Sequence, residues 1–154
     1  YQQRFEGGVR SACFIKWPGV IGAGAVNQNI YSGVDLFTSF LQVAGAQMPA
    51  APVVDGKPMI ESIITNKPVR NTFYAFAPQK EVQGVRYNNW KLVIDKRGGK
   101  TSLLLFNLAN DPSELNDLAS KNKNIVQTMY NLAVSAEQAV VNNLPLQETN
   151  NFNF

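Results

Sequence analysis

Glu6 and Arg10 stand four residues apart across a Gly7-Gly8 pair, directly ahead of an apolar run. A carboxylate and a guanidinium at that spacing can order a neighbouring site, or pair with each other and fix the turn between them. The second option needs no further group and is the expectation. Glu6 and Arg10 are also the candidates to support a site from behind, by ordering loops upstream of it. Asp35 offers either a metal ligand or a helix cap. With Ser32 three residues before it and Leu36, Phe37, Phe40, Leu41 and Ala44 after it, capping is the better reading. Cys13, the one cysteine, lies within an apolar run and is expected to be a buried, inert thiol, not a nucleophile or ligand. Lys96, Arg97 and Lys100 make the one tight basic cluster. With Gly98-Gly99 among them they read as a solvated hairpin loop, not a nucleic-acid or membrane patch.

What is missing narrows the chemistry further. The 154 residues contain no histidine, which removes the commonest general base and the commonest transition-metal ligand. No P-loop, dinucleotide fingerprint, zinc-ligand spacing or nucleophile elbow occurs. No apolar run approaches 18 residues. Hydrophobic content of 45% with 16% charged residues is that of a folded chain able to build one core, and a net charge of +3 favours no polyanionic partner.

The elements that must hold these residues follow from periodicity. Residues 11–17 read as a strand stopped by Pro18. A Gly/Ala-rich loop leads to a helix that opens around Ser32–Asp35 and stops at Gly45. Residues 48–58, rich in Pro and Ala, read as a surface crossing, and 59–64 as a short helix. Four strands are expected at 72–77, 83–87, 90–95 and 103–108, the middle two joined by Asn88-Asn89 in a tight turn. In the third, Trp90, Leu92 and Ile94 alternate with Lys91, Val93 and Asp95, so one face should be buried. Ile125, Met129, Leu132, Ala136 and Val140 predict a helix over 123–142 lying on that sheet, and an Asn-rich tail follows. Four strands joined by short loops imply a small antiparallel sheet.

Taken in order, four blocks resemble the C-terminal part of the sulfatase family, within the alkaline phosphatase superfamily. They are Phe5-Glu6-Gly7-Gly8-Val9-Arg10 with Trp17-Pro18-Gly19; Val34-Asp35-Leu36-Phe37-Thr38-Ser39-Phe40-Leu41 with Ala44-Gly45; Val85-Arg86-Tyr87-Asn88-Asn89-Trp90-Lys91-Leu92-Val93; and Leu105-Phe106-Asn107-Leu108 with Asp111-Pro112-Ser113-Glu114 and Asn116-Asp117-Leu118. The resemblance covers about residues 4–120. It implies an α/β class, α+β in this piece: the end of a sulfatase-type α/β domain over 1–58, a four-stranded antiparallel sheet packed on a C-terminal helix over 59–146, and a tail over 147–154.

The resemblance also implies a parent enzyme, a sulfuric ester hydrolase that works with a formylglycine and a calcium ion. The formylglycine arises from a Cys/Ser-x-Pro-x-Arg motif, which this sequence does not contain. No catalytic, substrate-binding or metal-ligating residue is therefore assigned here, and no cofactor within this chain. The family's sulfate-contacting lysine falls on the position of Tyr1. The expected partners are the remainder of a sulfatase chain and, for the parent, a sulfate ester, with no nucleic acid and no membrane. The compartment implied by the family is secreted, periplasmic or lysosomal. Two other readings stay open: the end of a phosphoester or phosphonate hydrolase of the same superfamily, and a non-catalytic carbohydrate- or partner-binding module. The binding module would work through Phe73-Tyr74-Ala75-Phe76 and Trp90.

Overall fold

The computed structural model describes residues 4–50, 54–146 and 152. In chain order its elements are α1 (Glu6–Val9), α2 (Asp35–Ala44), α3 (Ile60–Thr65), β1 (Thr72–Phe76), β2 (Val82–Tyr87), β3 (Trp90–Asp95), β4 (Ser102–Asn107) and α4 (Lys123–Val141). The chain divides into two compact units, one of residues 1–11 with 72–154 and one of residues 12–71. The expected elements from residue 59 onward are all present, in the expected order.

In the first unit the four strands form an antiparallel meander in sequence order. Tyr74 faces Val85, which in turn faces Leu92, itself opposite Leu105. A register shift between Ala75 and Phe76 marks an irregularity in β1. Asn88 opens the β2–β3 turn at φ 52°, a left-handed conformation that asparagine tolerates. α4 lies across β2 and β3 and turns Ile125, Met129, Leu132, Ala133 and Ala136 onto Val82, Val85, Leu92, Ile94 and Leu105. Removal of this apolar surface from water is the main force holding helix to sheet.

β3 departs from the expected one-sided burial. Leu92 and Ile94 are buried beneath α4, but Lys91 and Val93 on the other face are buried as well. The reason is a cover that alternation cannot reveal: the segment around α1 lies over that face. The Arg4 carbonyl passes so close to Gly84 that a Cβ there would stand 3.3 Å from it. Phe5 meets Phe106 with ring centroids 6.2 Å apart. Gly7-Gly8 is not an open turn but part of one helical turn, with Gly8 N–H donating to the Phe5 carbonyl and Arg10 N–H to that of Glu6. Most of the expected tail lies outside the described residues. Phe152, which is described, sets its ring edge-on to Tyr87 at 5.5 Å.

The second unit carries the larger corrections. Residues 11–17 form no strand: a strand exists through its ladder hydrogen bonds, and this segment has no partner strand among the described residues. Phe14 is 94% exposed, and Cys13 is exposed too, not buried as expected. Trp17-Pro18-Gly19 does stop the run, as a turn in which Val20 and Ile21 N–H donate to the Trp17 carbonyl and Gly19 sits at φ 81°. α2 begins and ends as expected, with Gly45 at φ 65° and Ala46 N–H reaching the Leu41 carbonyl. Its buried side, however, is polar: Asp35, Thr38 and Ser39 face inward, while Leu36, Phe37, Phe40 and Val43 are exposed. Residues 51–53 of the expected surface crossing lie outside the described residues.

Candidate functional site

The charged residues of the first unit gather where the segment around α1 crosses the sheet. Lys91 projects from the covered face of β3, and its Nζ lies 2.6 Å from Glu6 Oε1 and 3.7 Å from Glu114 Oε1. Its side chain is 1% exposed. Arg86 of β2 approaches the other Glu6 oxygen at 3.5 Å and donates through Nε to the Asn88 carbonyl. Glu6 also gives its own N–H to Glu114 Oε2 at 2.6 Å, so the two acidic residues hold each other through backbone as well as through lysine.

Glu114 reaches this position because its loop is built around two aspartates. Asp111 accepts the N–H groups of Leu115 and Asn116, which, with the Asn116 donor first, pull its carboxyl below the usual carboxylate range. Asp117 accepts Leu105 N–H and ties the loop to β4. Glu114 sits between them at φ 56°, a strained conformation for a residue with a side chain. Burial drives its carboxyl above the ordinary glutamate value, against the pull of Glu6 N–H and Lys91. A carboxylate in a dry site with one distant cation prefers to be neutral.

At the far end of β3, Arg4 pairs with Asp95 at 2.9 Å. Asp95 is held well below the usual range, first by its side-chain hydrogen bond from Arg97, while partial burial opposes. The basic loop is thus largely spoken for: Arg97 by Asp95, Lys96 by Glu137 at 2.9 Å.

The second unit has a charge centre of its own. The fully buried Asp35 accepts N–H from Ser32 at 2.7 Å and from Lys57 at 2.8 Å, and it pairs with Arg70. Its main-chain carbonyl takes the Thr38 and Ser39 hydroxyls. The Ser32 N–H bond is half of the expected capping box, and Asp35 acts as a hub for loops. Ser62 on α3 gathers a second knot, with its carbonyl taking the Asn27 amide and its hydroxyl meeting Tyr31 at 2.8 Å.

The expected Glu6–Arg10 pair is therefore not formed. Glu6 is buried and faces Lys91 and Arg86, while Arg10 is exposed. Four residues along a single helical turn would bring the two close, but the chain is extended again at Arg10, which sends its side chain elsewhere. Sequence reasoning passed over Lys91 and Glu114. A lysine at the centre of a strand, among Trp90, Leu92 and Val93, was the available signal, because a buried ammonium requires a carboxylate. Among the described residues no three His, Cys, Asp or Glu side chains group as a metal site. Cys13, followed by Phe14-Ile15-Lys16, does not fit the formylglycine motif. Of the aromatics suggested as a binding face, Tyr74, Phe76 and Trp90 pack, partly buried, against the core.

This arrangement ties the backbone of α1 to the Glu114 loop and to β3. A family model described as N-sulphoglucosamine sulphohydrolase, C-terminal, matches residues 1–139. The N-acetylgalactosamine-6-sulfatase of Mus musculus is 38% identical over 74 residues, 47% of this chain and 14% of that protein. Arylsulfatase A of Bos taurus is 32% identical over an alignment of 162 positions, 88% of this chain and 30% of that protein. Among solved structures, that of Ps i-CgsB superposes with a TM-score of 0.68 at 26% identity, over 79% of this chain and 27% of that one. The PsFucS1 sulfatase from Pseudoalteromonas sp. shares the fold at a TM-score of 0.66 and 20% identity, over 86% of this chain and 30% of that one. The chain spans less than a third of the length of these curated relatives. It belongs to the N-sulphoglucosamine sulphohydrolase C-terminal family and is a C-terminal portion of the sulfatase type.

Proposed function

We propose that this chain serves as the structural C-terminal part of a sulfuric ester hydrolase acting on sulfated carbohydrate, with the formylglycine and calcium held by residues outside these 154. The family match over residues 1–139 carries the reading. The names of the relatives support the carbohydrate class. In this reading the exposed apolar side of α2, with Leu36, Phe37, Phe40 and Val43, packs on the remainder of the sulfatase chain. An exposed cluster of that kind marks a surface meant to be covered. The Lys91–Glu6–Glu114 cluster then holds the Glu-Gly-Gly segment at the domain's edge as a footing for upstream loops, without touching the reacting atoms. The sulfate-contacting position at Tyr1 lies outside the described residues.

The test is the coding sequence upstream of Tyr1, followed by assay of the longer chain on an aryl sulfate and an aryl phosphate. A Cys/Ser-x-Pro-x-Arg motif with calcium-dependent turnover of the sulfate is expected. A Thr or Ser nucleophile with a two-metal ligand set and preference for the phosphate would replace this reading with the phosphoester hydrolase. Tight binding of a sulfated glycan by the present chain alone would favour the binding module.

A further inference from the structure

The two carboxylates around Lys91 are not equally served. Glu6 has Lys91 at 2.6 Å and Arg86 at 3.5 Å. Glu114, with a side chain only 4% exposed, has Lys91 at 3.7 Å, and its Oε1 is buried without a hydrogen-bond partner among the described residues. Its other oxygen accepts Glu6 N–H, a bond that a neutral carboxyl keeps through its carbonyl oxygen. Among the described residues, the charged groups facing Glu114 are Lys91 from β3 and Glu6 from α1, and Arg86 of β2 approaches Glu6. On its own loop Asp111 is turned to Leu115 and Asn116, and Asp117 to Leu105 and Ala119.

We propose that Glu114 is a positioning residue that works as a proton-operated latch: neutral, it holds the α1 segment down on the sheet; ionised, it loosens it. With Glu114 neutral, Lys91 serves Glu6 alone and the Glu6 N–H bond stays made. With Glu114 ionised, two adjoining carboxylates share one buried ammonium, and the second charge is buried without an adequate partner. The most direct relief is withdrawal of residues 4–10, which carry Glu6, from the Glu114 loop. Burial raises the Glu114 carboxyl, so the folded state binds this proton more tightly than the unfolded chain does. Stability from the latch is therefore fully present below the ordinary glutamate value of about 4.3 and is lost as pH rises through the raised one.

The latch does not depend on the reaction the parent performs. Amide hydrogen exchange of residues 6–10 in the full chain, corrected for intrinsic rates, measures it from about pH 4, below the ordinary glutamate value, up to about pH 8. Protection is expected to fall several-fold across that range, up to roughly tenfold for each unit by which the carboxyl is raised. Glu114→Gln, which keeps the accepting oxygen and removes the charge, should leave protection high and flat. Flat protection in the wild type, or an unchanged slope in Glu114→Gln, would overturn the proposal. So would a Glu114 carboxyl carbon that titrates by NMR in the ordinary glutamate range, a reading that needs no variant.

Discussion

Lys91 Nζ and Glu6 Oε1 meet at 2.6 Å across eighty-five positions of sequence, and the lysine is almost wholly out of water. The contact joins the middle of the sheet to a segment at the other end of the chain. A buried pair of this kind adds little net stability over an apolar one, but breaking it from one side is costly, because the other charge stays behind. That asymmetry makes the cluster readable by mutation.

Lys91→Met strands Glu6 and Glu114 without their shared cation and should destabilise the chain by about 3–5 kcal/mol. Glu6→Gln retains a hydrogen-bonding oxygen and should cost less, about 1–3 kcal/mol. Arg10→Ala, at an exposed position, should fall within about 0.5 kcal/mol of wild type. Urea unfolding ranks the three; equal losses at Arg10 and Lys91 would contradict the geometry. In a catalytically competent longer chain, Glu6→Gln should lower the melting temperature more than the turnover of folded enzyme.

Asp35 is the corresponding hub of the second unit, and its three donors make a different pattern. Asp35→Ala orphans Ser32 N–H, Lys57 N–H and the Arg70 guanidinium together and should cost about 3–5 kcal/mol. Arg70→Met alone leaves the two N–H bonds in place and should cost less. In a double-mutant cycle a coupling near zero would mean that Arg70 contributes nothing to the hub. Amide exchange at Lys57 should accelerate in Asp35→Ala.

The acid limb of stability should come in part from Asp95. Its carboxyl is depressed, so its contribution is present above the unfolded value of about 3.9 and disappears as pH falls through the folded one. The gap in urea midpoint between wild type and Asp95→Asn should therefore be constant above about pH 5 and shrink as pH falls from there toward about pH 2. A gap that stays constant throughout would show that the Arg97 and Arg4 contacts do not depend on its charge. Glu114 works in the opposite sense, losing its stabilising form as pH rises.

Cys13 should react with a thiol reagent in the native chain at close to the rate of the unfolded chain, since the side chain is exposed. Slow labelling that becomes fast only in urea would return it to the buried state expected from its apolar neighbours.

Much of the first unit was legible from the residues. The short apolar runs, the Asn pair between two of them, and the three-and-four spacing from Ile125 to Ala136 are local signals tied to backbone geometry. The structure forms the strands, turn and helix they predict, although β3 is buried on both faces. Residues 11–17 and the α2 face were misread for one shared reason. Pattern reports which residues could be buried, whereas burial itself needs something to lie against. In the second unit the inward side of α2 was decided by hydrogen bonds to Asp35, Thr38 and Ser39, and the apolar stripe found no cover among the described residues.

The sequence alone, then, determined the sheet, its helix and the family resemblance, because each depends on short-range spacing or on a run of motif residues. It also determined what the chain lacks: histidine and the formylglycine motif. Only the tertiary structure decided that Glu6 turns from its neighbour Arg10 to Lys91, and that Glu114 completes the cluster. Coulomb attraction and desolvation act through space, and no spacing along the chain reports which distant charge will be brought within reach.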